Sequence, residues 1–212
     1  MELILIISGI IVSYLIGSMP TALWFGKAFY GIDIREHGSG NSGATNTFRV
    51  LGKKAGMIVL LIDVLKGLTA ASLVRYLYFV DPGSVRFVNL QLLFGLVSVI
   101  GHIFPIYANF KGGKGIATLL GMVIGIHYLS ALVCFALFLV ILFSTRYVSL
   151  SSILSAIAFP LIAIIIYKNE EPFFVAFGIA AAVMVVLTHQ KNIVRLVAGS
   201  ENKAKLLKKH RR

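Results

Sequence analysis

Six apolar runs, roughly 3–25, 57–80, 88–108, 115–143, 148–167 and 172–188, alternate with short polar segments along this chain of 212 residues. Most are one membrane crossing long, since about 20 helical residues span the hydrocarbon of a bilayer. The fourth run is too long for one upright helix at about 1.5 Å per residue, yet short for two full spans. Gly121, Gly125 and His127 lie near its middle and suit a tight turn. Reading that run as two short helices predicts an all-α, polytopic bundle of seven transmembrane helices, a single domain over 1–212.

Composition agrees with the setting. Hydrophobic residues make up 58% of the chain and charged residues 13%, and the mean hydropathy is +0.91, which excludes an ordinary soluble domain. The first run has no basic leader before it and no small-residue cleavage site after it, so it reads as a retained span. The single cysteine, Cys134, has no intrachain partner for a disulfide.

Charge decides between six spans and seven. In the seven-span reading one face collects Lys27, Arg35, Arg49, Lys53, Lys54, Lys111, Lys114, Arg146, Lys191, Arg195 and a basic tail, 203–212. The other receives Arg75, Arg86 and Lys168. The cation-rich face is cytoplasmic by the positive-inside rule, which puts the N-terminus outside and the C-terminus inside.

The polar loops then share the cytoplasmic face, where they can meet in one cleft. The first, within 31–54, carries Ser39, Gly40, Asn41, Gly43, Thr45, Asn46 and Arg49, followed by Lys53 and Lys54. Glycines let backbone N–H groups approach an anion, hydroxyls and amides add uncharged hydrogen bonds, and an arginine grips phosphate oxygens in bidentate fashion. The expected ligand is a phosphorylated small molecule. In the second, Lys111 and Lys114 flank Gly112 and Gly113 just before a helix that starts near Gly115, whose N-terminal N–H groups also favour an anion. The third is 144–149 and the fourth 189–201.

Each feature has a plainer reading. Glycine-rich connections are often only tight turns, boundary lysines are topology determinants, and the tail suits anionic lipid. His102, His189 and His210 are metal-ligand types, but no cluster at ligand spacing exists, so neither a metal nor another cofactor is expected. Asp63 and Lys66, three residues apart within the second apolar run, share a helix face. They form either a neutralising structural pair or the deep end of the cleft.

Taken together, Gly38 to Arg49, Gly101-His-Ile-Phe-Pro to Lys-Gly-Gly-Lys-Gly-Ile-Ala-Thr118, and His189-Gln-Lys-Asn-Ile-Val-Arg-Leu to Gly199-Ser-Glu201 resemble the three motifs of the bacterial acyl-phosphate:glycerol-3-phosphate acyltransferase family. Asp63-x-x-Lys66-Gly67 and Arg146-Tyr-Val-Ser149 are similar to further family elements, and the resemblance covers essentially the whole chain. It implies a seven-span enzyme of the bacterial cytoplasmic membrane, its active site facing the cytoplasm. An acyl chain would pass from acyl phosphate to the 1-hydroxyl of sn-glycerol 3-phosphate, giving lysophosphatidic acid and phosphate.

Carried over by motif position, the resemblance implies catalytic roles for Ser39, Arg49, Lys111, Ser149, His189 and Asn192. Phosphate binding falls to Gly40, Asn41, Gly43, Thr45, Asn46, Gly112, Gly113 and Lys114, with Asp63, Lys66, His102 and Arg195 in support. Membrane lipids are expected neighbours, nucleic acid is not, an enzyme supplying acyl phosphate is implied, and a monomer suffices. Direct transfer is expected, with His189 as general base or Ser39 as nucleophile the alternatives. The His-x4-Asp signature of other glycerolipid acyltransferases is missing: the residues five beyond His37, His102, His127 and His189 are Ser42, Tyr107, Leu132 and Val194. Two departures are visible, Ser42 where proline is common and Gln190-Lys191 in place of an arginine-containing pair. The competing class is a small anion or phosphorylated-solute transporter, which would also use glycine-broken helices and intramembrane charge.

Overall fold

The structure, a computed structural model, describes residues 1–167 and 172–204; Lys168 and most of the basic tail lie outside the described residues. The described residues contain helices and no strand. They divide into two compact units, Met1–Tyr128 and Leu129–Arg212.

The first unit starts with α1 (Glu2–Ser18) and α2 (Thr21–Tyr30), two helices drawn from what the hydropathy pattern presents as one run. They meet at 40°. Pro20 has no N–H to continue the ladder, and Met19 before it is extended (φ −60°, ψ 110°). A short helix, α3 (Ala44–Val50), interrupts the first polar loop, and α4 (Lys53–Ser72) follows directly. After α5 (Val85–Ile103) comes the second polar loop, and then α6 (Ile116–Ile126).

Small residues let these helices touch backbone to backbone. A Cβ on Gly67 of α4 would collide with the Thr118 carbonyl of α6, and one on Gly121 with the Val64 carbonyl of α4. Gly17 of α1 meets Ser98 of α5 in the same way. Without a hydrophobic force to drive helices together in lipid, such close approach is what holds a membrane bundle. At the far end from the polar loops, Val74, Leu77, Val80, Phe87, Leu90 and Phe94 form an apolar cluster.

The second unit holds α7 (Tyr128–Thr145, which begins at the boundary), α8 (Val148–Tyr167), α9 (Pro172–Thr188) and α10 (Gln190–Val197). α8 packs on α9 through Phe159, Phe174 and Phe177, whose ring centroids lie 5.5 to 6.3 Å apart. α10 leaves α9 at 65°.

Burial is inverted relative to a soluble protein. Ser13, Ser18, Asp63, Lys66, Ser98, His102 and Thr118 are buried, while Ile4, Ile11, Leu61, Leu65, Leu132, Phe143, Leu161 and Ile165 are exposed. Four of the described helices are long and apolar enough to cross a membrane, or six if each bent pair, α1 with α2 and α9 with α10, is one span. The 115–143 run is indeed two helices, parted at His127, and α6 alone is too short to pass that length test.

Candidate functional site

Asn46 organises the first polar loop. Its side chain is buried; Nδ2 donates to the carbonyls of Ile34 (3.1 Å) and His37 (3.0 Å), and Oδ1 accepts from the Ser39 N–H (2.8 Å) and the Ser39 hydroxyl (3.1 Å). Gly38 takes φ +63°, and a Cβ there would strike the Asn46 amide. The expected phosphate ligand Asn46 is therefore the brace of its loop, with every polar atom of its amide engaged. Ser39 stays exposed, its proton directed at an amide oxygen.

Thr45 and Arg49 stand on α3 rather than on a flexible loop, and both are exposed. Gly40 and Asn41 lie in the turn before it, and Gly43 is its N-cap. The Arg49 guanidinium makes no hydrogen bond or ion pair among the described residues, and neither does the Lys111 ammonium.

The second loop is shaped by its backbone. The Gly112 and Gly113 N–H groups donate to the carbonyls of Ile103 and His102, both at 3.1 Å, and so cap the end of α5. The amides expected at a phosphate are engaged within the protein here; what the two glycines supply is room. Asn109 (φ 53°) and Phe110 (φ 57°) are consecutive non-glycine residues in the left-handed region, a strain that tends to be kept at functional sites. They set the position of Lys111, which is exposed, and Lys114 precedes the Gly115 N-cap of α6.

Two side chains of the first loop reach the second. The Ser42 hydroxyl donates to the Lys111 carbonyl at 3.3 Å, and Arg35 Nη1 to the Ala108 carbonyl at 3.4 Å. Arg35 is held in turn by Asp33, with Nε 2.9 Å and Nη2 2.7 Å from its two carboxylate oxygens. These hydrogen bonds hold the Asp33 carboxyl well below the usual carboxylate range against the opposing effect of burial. Asp33, Arg35, Glu36, Gly40, Asn109, Lys111 and Gly112 line an open cleft of about 420 Å³.

Below this loop lies a buried ionic cluster. The Lys66 ammonium sits 2.7 Å from the Met19 carbonyl, 2.6 Å from Asp63 Oδ1 and 3.4 Å from His102 Nδ1. The contact with Asp63 is an ion pair without hydrogen-bond alignment. Asp63 and Lys66 are 1% and 4% exposed, so both are buried and neither lines the open cleft. The Met19 carbonyl is available because the chain breaks at Pro20. A buried ion pair needs such added hydrogen bonds to offset its desolvation.

In the second unit, Ser149, Asn192 and Arg195 converge on Glu201. Its carboxylate accepts from the Ser149 hydroxyl (3.3 Å), Asn192 Nδ2 (2.9 Å) and Arg195 Nε (2.7 Å). Burial pushes the Glu201 carboxyl up, but these hydrogen bonds and the Arg195 charge outweigh it and the net shift is downward. Sequence alone assigns Glu201 no role; its signal there is that it is the sole acid in 189–201. His189 is buried, and its Nδ1 lies 2.8 Å from the Val185 carbonyl. A carbonyl only accepts, so Nδ1 carries the proton and Nε2 is the acceptor nitrogen. Nearby, the 201–204 segment is tied to the start of α8 by Ala204 N–H to the Arg146 carbonyl (2.7 Å) and by Lys203 over the Tyr147 ring. No group of three or more His, Cys, Asp or Glu among the described residues is placed to hold a metal ion.

Comparison with known proteins gives one answer. A family model described as glycerol-3-phosphate acyltransferase matches residues 7–199. Relatives bearing that name include those of Chlorobaculum tepidum, 44% identical over 92% of this chain and 94% of the relative, and Salinibacter ruber, 43% identical over 91% and 90%. The crystal structure of PlsY, an integral membrane glycerol 3-phosphate acyltransferase in its glycerol 3-phosphate form, is 36% identical and superposes with a TM-score of 0.83 over 94% of this chain and 95% of PlsY. Its lysophosphatidic acid form gives a TM-score of 0.79 over 93% and 94%. The chain belongs to the glycerol-3-phosphate acyltransferase family.

Proposed function

We propose that this membrane acyltransferase uses acyl phosphate as donor and the 1-hydroxyl of sn-glycerol 3-phosphate as acceptor, releasing lysophosphatidic acid and inorganic phosphate in the first acylation of bacterial phospholipid synthesis. The observation that carries this reading is the pair of exposed cations, Arg49 and Lys111, mounted on braced backbone and engaged with no side chain or carbonyl among the described residues. Two anionic substrates repel each other, and such cations and nearby donors offset that repulsion. The forms in which PlsY was solved, with glycerol 3-phosphate and with lysophosphatidic acid, fit the acceptor and product.

In the proposed step the 1-hydroxyl oxygen of glycerol 3-phosphate bonds to the acyl carbon, the bond from that carbon to the phosphate oxygen breaks, and the hydroxyl proton passes to the departing phosphate. A carboxylic-phosphoric anhydride is already activated, so positioning and charge neutralisation supply most of what is needed. Ser39 supports transfer without an acyl-enzyme, because its proton points to the Asn46 amide oxygen, which is no base. His189, with its acceptor nitrogen fixed as Nε2, and Ser149 and Asn192, held through Glu201, suit the orientation of glycerol hydroxyls. Gly40, Asn41, Gly43, Thr45 and Lys114 complete the phosphate surroundings. No metal or other cofactor takes part.

The proposed topology has seven spans in the bacterial cytoplasmic membrane, with α6 as a short span, the N-terminus outside, and the polar loops and C-terminus in the cytoplasm. The chain acts as one domain and as a monomer, with membrane lipids around it and an acyl-phosphate-producing enzyme upstream.

The test is purified protein in detergent or lipid mesophase, given acyl phosphate and sn-glycerol 3-phosphate with a chelator present. Equal amounts of phosphate and lysophosphatidic acid are expected. Transfer from acyl-CoA alone would overturn the donor, and turnover of neither would move the transporter reading forward.

A further inference from the structure

Asn109 and Phe110, the left-handed pair of the second loop, are both exposed, so packing of their own side chains does not hold them in that conformation. Consecutive non-glycine residues persist there only where the surroundings over-determine them. The Phe110 and Lys111 N–H groups close the turn on the carbonyls of Pro105 (2.9 Å) and Ala108 (3.2 Å), but these local bonds do not fix it against the first loop. Two side chains of the first loop do, one at each end of the pair. The Ala108 carbonyl before it accepts from Arg35 Nη1, and the Lys111 carbonyl after it accepts from the Ser42 hydroxyl.

Arg35 is built for that grip. Ile34 beside it is fully buried with Ala22 and Val59, which anchors the short helical turn Ile34–Glu36 in the core. Asp33 caps this turn by accepting from the Arg35 N–H at 3.0 Å, and its two carboxylate oxygens take Nε and Nη2 of the same residue. A planar guanidinium locked on two of its nitrogens has the third in a fixed place, and that third nitrogen is the one on Ala108. Arg35, Asn109 and Lys111 line one cleft. With its charge matched by Asp33, Arg35 contributes geometry there, where Lys111 contributes charge.

We propose that Arg35 is a positioning residue for the transfer reaction: braced by Asp33 and assisted by Ser42, it keeps the Asn109–Phe110 turn in the shape that presents Lys111 to the cleft. This rests on the reading of Lys111 as a cation that faces substrate.

The experiment measures kcat and both KM values for Arg35→Ala, Lys111→Gln and the double variant, with backbone hydrogen exchange followed in the same purified proteins. Lys111→Gln identifies the substrate its ammonium holds by raising that KM. Arg35→Ala should raise the KM of the same substrate about 10-fold, the scale of one hydrogen bond to a charged group. The double variant should be no worse than Lys111→Gln, because a residue that acts through Lys111 then has nothing left to position. Amides of 106–112 should exchange faster in Arg35→Ala, while those in the middle of α5 and α6 keep the wild-type rate. Arg35→Lys guards against misfolding. It keeps a charge beside Asp33 without the fork that holds Asp33 and Ala108 together, so the same KM should rise at an unchanged unfolding temperature. Multiplied losses in the double variant, a raised KM for the other substrate, a wild-type KM in Arg35→Lys, or unaltered exchange would overturn the proposal. Lys111→Gln with both KM values unchanged would overturn the reading of Lys111 instead, and the exchange rates, which need no turnover, would still decide whether Arg35 holds the turn.

Discussion

Arg49 projects from the last turn of α3 without a partner in the described protein, so removing its side chain leaves no buried group unsatisfied. Arg49→Ala is expected to lower kcat/KM by at least about 10- to 100-fold, the worth of one charge-assisted contact, while the unfolding temperature in detergent stays put. Asn46→Ala should act on stability as well, because four hydrogen bonds to Ile34, His37 and Ser39 vanish from a buried site. It costs about 1–3 kcal/mol or more, read as a fall in unfolding temperature, and takes activity with it. The two residues stand three positions apart in one motif, where motif position implies a catalytic role for Arg49 and phosphate binding for Asn46; the fold makes Asn46 the brace of the loop and leaves Arg49 exposed. Glu201 is a similar case of geometry adding what composition lacks. Its carboxyl is lowered in the folded protein, so its stabilising effect is fully present above the ordinary glutamate range of about 4.3 and is lost as pH falls through that range toward the lowered value. Thermal unfolding in detergent should therefore show the wild type losing stability from about pH 5 downward, a loss that Glu201→Gln should make smaller while the share due to Asp33 remains.

At the scale of elements, length and hydropathy located the later helices well: α8 and α9 fill the apolar runs 148–167 and 172–188, and the break expected near His127 is there. The bend between α1 and α2 was not foreseen, although Met19-Pro20 was its signal, because hydropathy reports burial in lipid and not backbone continuity. That bend matters to the interior, since the carbonyl it frees receives the Lys66 ammonium. The seven-residue α3 inside the first polar loop was missed for a different reason: its glycine and hydroxyl neighbours read as loop chemistry, and a helix this short depends on packing, here of Ala44 and Val50 against Ala22, Ile34 and Val59. Glycine contacts make the firmest prediction at this scale. Gly121→Ala would press a methyl group onto the Val64 carbonyl and force α4 and α6 apart, costing about 1–3 kcal/mol or more by overpacking. A lower unfolding temperature and lower yield from membranes check it, and unchanged stability would show that these helices tolerate separation.

For the whole molecule, apolar side chains cover the outside of both units while charge is buried within, the inversion that lipid imposes. The proposed orientation rests on charge asymmetry, which is legible in sequence because lysine and arginine near span ends act at insertion rather than through any fold contact. The number of crossings was harder to read, since α6 with 11 residues covers about 16 Å by its rise, near half of the hydrocarbon thickness. A short span survives if its ends are polar enough to draw water inward or if the bilayer thins locally. His127 and Tyr128 follow α6 directly, and Lys111 and Lys114 precede it. Seven spans therefore place residue 127 outside and residue 111 in the cytoplasm, on opposite sides of one short helix. The chain offers a direct measurement, because Cys134 is its sole cysteine and its replacement by alanine gives a background without thiols. Single cysteines at 111 and 127 should then react with an impermeant maleimide from opposite sides of sealed vesicles, 127 from the outside and 111 only in inverted ones. Labelling of residue 127 solely from the cytoplasmic side would make α6 a re-entrant segment, reduce the crossings to six, and carry Arg146, Glu201 and the basic tail to the face opposite Lys111.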